Sequence, residues 1–75
     1  MKNKIIEILN NTRPEFDFGI ELNDFIKKGM LDSFDIITLV SDFEEEMGIS
    51  ISGDQIIPEN FSSISAIEEL LVNSK

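Results

Sequence analysis

The stretch Asp32-Ser33-Phe34-Asp35-Ile36-Ile37-Thr38-Leu39-Val40-Ser41-Asp42-Phe43-Glu44-Glu45-Glu46-Met47-Gly48 decides how this chain folds. Asp32 is a good N-cap, because its carboxylate can accept a first-turn N–H that has no carbonyl partner inside a helix. Asp35 stands three residues on, as in a capping box. Ile36, Leu39, Val40, Phe43 and Met47 recur at the spacing of a single helical stripe. Gly48 supplies a C-terminal stop. The pattern predicts a helix over about Ser33–Met47.

On the N-terminal side, Met1, Ile5, Ile8 and Leu9 fall at i, i+4, i+7 and i+8, one face of a helix over about Lys2–Thr12. Pro14 and the Asn10-Asn11-Thr12 cluster end it. Residues 13–31 then form a long connection containing Phe16, Phe18, Ile20, Leu22, Phe25 and Ile26. A connection of that length usually packs its own side chains or serves a function, and its apolar content predicts that it lies across the core. On the C-terminal side, a short helical turn is expected near Asp54–Ile57, before Pro58. The last helix starts among Ser62, Ser63 and Ser65, and Ser65 with Glu68 fits a capping box. Ile64, Ile67, Leu70 and Leu71 supply its inner face. The expected fold is all-α: a small four-helix bundle of three main helices and one short one, with a long loop between the first two. Residues 1–75 form a single domain.

A chain of 75 residues buries only about 60% of its unfolded surface. Nearly all its apolar side chains are therefore needed for one core, and little remains for a deep preformed active site. The 15 Asp and Glu against 6 Lys and Arg give a net charge of −9. Such a surface is repelled by nucleic-acid backbones and anionic membranes and attracted to basic protein surfaces. The chain has no Cys and no His, so disulfides, thiolate metal sites and the commonest general base are excluded. Asp32 and Asp35 do not form a calcium loop, because Phe34 stands where an oxygen ligand is needed. No stretch reaches membrane-spanning length and no apolar leader follows Met1. The expectation is a cytoplasmic monomer without membrane insertion.

Ser33 stands in the first turn of the central helix, where unpaired N–H groups and the positive end of the helix dipole meet. Two readings stand for it: an ordinary polar residue of a helix start, or a site suited to a phosphate ester. Catalysis by Ser33 is poorly supported, since no His exists to activate it. Phe34 and Ile37 do not share the inner stripe. They project to the side, near Ser33, Thr38, Ser41, Glu44 and Glu45. Either the 13–31 loop covers them, or they form the apolar centre of a docking site with a charged rim. Glu44-Glu45-Glu46 is likewise either a solvated face or an electrostatic handle for basic partners.

The string Gly29-Met30-Leu31-Asp32-Ser33-Phe34-Asp35-Ile36-Ile37 resembles the phosphopantetheine-attachment motif of the acyl carrier protein family, centred on Asp-Ser-Leu. Leu39-Val40, Phe43-Glu44-Glu45-Glu46-Met47-Gly48, Ile49 and Ile51 resemble that family's second helix and the turn after it. Pro58-Glu59-Asn60-Phe61-Ser62-Ser63-Ile64 resembles the lead into its last helix, so the likeness covers essentially the whole chain. It implies that Ser33 receives 4′-phosphopantetheine from coenzyme A, transferred by a separate magnesium-dependent phosphopantetheinyl transferase. The arm's thiol then holds an acyl or aminoacyl group as a thioester. Asp32 matches the acid that helps position the transferase's magnesium. Phe34, Asp35, Ile37, Ser41, Glu44 and Glu45 match partner-binding positions, the partners being the transferase, the loading enzyme and downstream transferases or synthases with basic surfaces.

The likeness also implies a non-catalytic carrier subunit with no metal site of its own. Phe34 departs from the usual Leu, and Gly29-Met30-Leu31 from the usual Leu-Gly-Ala or Leu-Gly-Gly. Lys27 and Lys28 replace acids common in fatty-acid carriers. These departures look more like D-alanyl carriers and stand-alone carriers of specialised clusters, so a D-alanyl or peptidyl carrier is the alternative. An acidic interaction module or inhibitor without a covalent arm is a more remote one.

Overall fold

The structure, a computed structural model, describes residues 2–20 and 23–74. Two expectations, Met1 on the first helical face and Leu22 in the long loop, lie outside the described residues. The described residues are all-helical. They form three α-helices, α1 (Lys2–Thr12), α2 (Ser33–Met47) and α3 (Ile64–Asn73). Two short 3₁₀ turns, Gly53–Gln55 and Pro58–Phe61, lie between α2 and α3, where one short helical turn was expected. No strand occurs among the described residues.

Each helix buries the face its sequence marks as apolar. Ile5, Ile8 and Leu9 of α1, Ile36, Leu39 and Phe43 of α2, and Ile64, Ile67, Leu70 and Leu71 of α3 are buried in one cluster. Val40 and Met47 complete the α2 stripe but are only partly buried against it. Helix α1 packs against both α2 and α3, while the Pro58–Phe61 turn packs against α3 and α2. Phe61 is fully buried at that junction.

The connection between α1 and α2 lies across the core, as its composition predicts. Phe18 and Phe25 are fully buried and meet edge to face, with ring centroids 5.0 Å apart, a favoured aromatic geometry. Met30 and Leu31 are buried beside them, whereas Ile20 is exposed. Backbone bonds close the segment: Phe25 N–H donates to the Ser62 carbonyl (3.0 Å) and Met30 N–H to the Phe25 carbonyl (2.8 Å). Gly29 adopts φ 73° at the turn between them, a left-handed conformation that a β-carbon disfavours. The chain thereby delivers Leu31 into the core and Asp32 onto the surface.

The start of α3 departs from the expected Ser65–Glu68 capping box. Ser63 is the N-cap, extended at φ −156° and ψ 165°, and its Oγ accepts the Ala66 N–H at 3.0 Å. Ser65 lies inside the helix. The physical reason is Ile64: it is buried, and a helix begun at Ser63 brings it onto the same inner face as Ile67 and Leu71. No helix among the described residues is long and apolar enough to cross a membrane.

Candidate functional site

Ser33 is the first residue of α2 and is exposed. Asp32 before it is the N-cap, extended at φ −124° and ψ −172°. The capping box is reciprocal: Asp32 Oδ1 accepts the Asp35 N–H at 3.0 Å, and Asp35 Oδ2 accepts the Asp32 N–H at 3.0 Å. That exchange fixes the peptide on each side of Ser33. The Asp35 N–H, with the Arg13 guanidinium nearby, holds the Asp32 carboxyl below its usual pKa. The remaining first-turn N–H groups have no carbonyl partner within the helix, and with the positive end of its dipole they make this surface favourable to an anionic ester on Ser33.

Arg13, just past α1, completes the cap. Its Nε donates to Asp35 Oδ2 at 2.7 Å, its Nη2 lies 2.7 Å from that same oxygen, and Nη2 also reaches Asp32 Oδ2 at 3.2 Å. Its Nη1 donates to Glu15 Oε2 at 3.0 Å. Glu15 and Asp35 together raise the pKa of the guanidinium further, and Glu15 in turn is lowered by its own backbone N–H and by Arg13. Nothing in the spacing of the sequence ties Arg13 to this site. Its partner Asp35 lies 22 residues away. The only signal is that Arg13 is one of six cations among fifteen acids.

On the outer side of α2, Phe34 is 81% exposed and Ile37 65%. The 13–31 loop does not cover them. Ser41 and Glu45 are exposed on the same helix. The other two residues of the expected partner set have internal partners. The Asp35 side chain is only 13% exposed and is held by Arg13 and the cap. Glu44 Oε2 accepts the Ile51 N–H at 2.9 Å, fastening the turn after α2. Gly48, the left-handed C-cap at φ 63°, donates its N–H to the Glu44 carbonyl. Glu46 pairs with Lys4 of α1 at 3.3 Å, and that contact is the leading cause of a raised Lys4 pKa.

Two shallow hollows open beside Ser33. One, of about 320 Å³, is lined by Ile26, Gly29, Leu31, Asp32, Ser33, Ile36 and Pro58. The other, of about 270 Å³, is lined by Ser33, Ile36, Ile37, Ile56 and Pro58. Shared residues make them one furrow with an apolar floor and Ser33 at its edge. The sequence reading did not single out Ile26, Ile56 or Pro58 for this role. They come together only through the loop crossing and the turn before α3. Ser33 therefore borders open space along this furrow. Among the described residues, no group of three or more His, Cys, Asp or Glu side chains is arranged to hold a metal ion.

Comparison with known proteins finds no match for this chain, whether among protein-family models, curated proteins or solved structures.

Proposed function

We propose that this chain is an acyl carrier protein, holding an acyl or aminoacyl group on a phosphopantetheine arm esterified to Ser33. The observation that carries the reading is the exposed Ser33 at the first residue of α2, inside a reciprocal capping box and beside an apolar furrow. Read this way, the three α-helices and the short turns between α2 and α3 make up a small carrier bundle. Ser33 holds the arm, and the amides of the first turn of α2 favour its phosphodiester. Ile26, Ile36, Ile37, Ile56 and Pro58 offer the adjoining apolar surface. The arm supplies the thiol that this Cys-free chain lacks.

Phe34, Ile37, Ser41 and Glu45 form the face that partner enzymes read. The last turn of α2 supports this assignment. Acids near the C-terminal end of a helix oppose its dipole, at a cost of about 0.3–1 kcal/mol each, yet Glu44, Glu45 and Glu46 all stand there. Glu44 and Glu46 recover part of that cost through Ile51 and Lys4. Glu45 is exposed and gives a basic partner an electrostatic target. Association of this kind is fast, modest in affinity and weakened by salt.

The test is incubation with coenzyme A, magnesium and a broad-specificity phosphopantetheinyl transferase, followed by intact-mass measurement. The wild-type chain gains one arm and Ser33→Ala gains none. An arm on Ser33→Ala would place the attachment elsewhere.

A further inference from the structure

We infer that Arg13 is a positioning residue for loading of the arm, a role that rests on the carrier reading of Ser33. In loading, Ser33 Oγ forms a bond to phosphorus, a pyrophosphate P–O bond of coenzyme A breaks, adenosine bisphosphate leaves, and the hydroxyl proton passes to the transferase. The rate of such a step depends on how well the attacking oxygen is held, and a misplacement of about 1 Å can cost about a hundredfold.

Ser33 is exposed, so core packing does not hold it. What holds it is the Asp32–Asp35 exchange on either side. Arg13 grips both halves of that exchange, with two nitrogens on Asp35 Oδ2 and one also on Asp32 Oδ2. Arg13 is itself well anchored. Its N–H donates to the Leu9 carbonyl at 2.9 Å, continuing the bonding of α1, and Pro14 restricts its backbone. The end of α1 thereby sets the orientation of the first turn of α2. Arg13 also offsets two carboxylates that would oppose the incoming pyrophosphate. Lys has the charge but not the planar fork that reaches both carboxylates at once.

Arg13 pairs with Asp32, Asp35 and Glu15, whereas the proposed docking face is the exposed pair Phe34 and Ile37. Its loss is therefore expected to spare transferase docking and to slow transfer. The experiment measures kcat and KM for loading of the wild type, Arg13→Gln, Arg13→Lys and Asp35→Asn, each shown by circular dichroism to be folded at the assay temperature. Arg13→Gln is expected to lower kcat about tenfold with KM within about twofold. Arg13→Lys restores only part of that loss, and Asp35→Asn, which weakens the same clamp from the other side by removing its charge, also lowers kcat. Unchanged kcat in folded Arg13→Gln, or in Asp35→Asn should Arg13→Gln not fold, overturns the role. So does a defect confined to KM, or full restoration by Lys. A wild-type chain that takes no arm is a different result, and it overturns the carrier reading together with this one.

Discussion

On the inner side of α2, which packs against α1 and the Pro58–Phe61 turn, Ile36, Leu39 and Phe43 are buried in one cluster with residues of α1, α3 and the loop. On its outer side, Phe34 and Ile37 stand largely in water. Both sides carry Phe and Ile, and burying such a side chain is worth about 1.5–3 kcal/mol. The inner set is accounted for by stability. The outer set leaves that energy unused by the fold, directly beside Ser33. Two kinds of apolar residue on one helix are thus told apart by direction alone: one set specifies the bundle, and in the proposed carrier reading the other is the face a partner enzyme covers.

The largest effect separating the two faces is expected on the inner one. Phe43→Ala removes a fully buried ring and should cost about 3–5 kcal/mol, a large share of the stability of a domain this small. Urea unfolding checks it, and a cost under about 1 kcal/mol would mean that α2 is not seated as described. On the outer face, Phe34→Ala with Ile37→Ala should shift unfolding stability by less than about 1 kcal/mol. The same pair should lower kcat/KM for arm transfer at least about tenfold, equivalent to about 1.4 kcal/mol of lost docking. If loading is unchanged, the outer pair is not the face the transferase reads.

A smaller effect concerns the cap that joins the two faces. Folding lowers the Asp32 pKa, chiefly through the Asp35 N–H. Between the unfolded carboxylate value near about 4 and the lower folded value, the unfolded chain binds more protons, so stability falls as the pH drops through that window. Asp32→Asn keeps a capping side chain but cannot titrate. Its melting temperature should therefore fall less than that of the wild type between about pH 6 and about pH 3. Parallel curves would show that Asp32 gains nothing from the cap in its charged form.

The helical framework was largely legible in the sequence because it rests on local signals. The bounds of α1 and α2 follow from the apolar stripe, from Asp32 with Asp35, and from Gly48, all within a few turns of one another. The start of α3 was less legible because three serines compete as caps, and only the burial of Ile64 selects Ser63. Helical angle alone gives the sideways direction of Phe34 and Ile37 but not whether the 13–31 loop covers them; Ser33 is placed by the cap at Asp32, and its candidacy as an attachment point comes from the family resemblance. What spacing could not show were contacts made by the fold. Arg13 reaches Asp32 and Asp35 across the long loop, and the furrow draws Ile26, Ile36 and Pro58 from three separate segments. The same contacts turn Asp35 and Glu44, expected among the partner-facing residues, toward internal bonds. Side-chain type gave the candidates, and tertiary packing decided which of them face outward.

The most direct measurement is peptide mapping of the wild-type chain after exposure to coenzyme A and a transferase, with the modified residue located by fragmentation. A single phosphopantetheine ester on the peptide containing Ser33, with every other serine untouched, is the predicted result. An unmodified Ser33 in a folded chain, beside a control carrier loaded in the same tube, would contradict it.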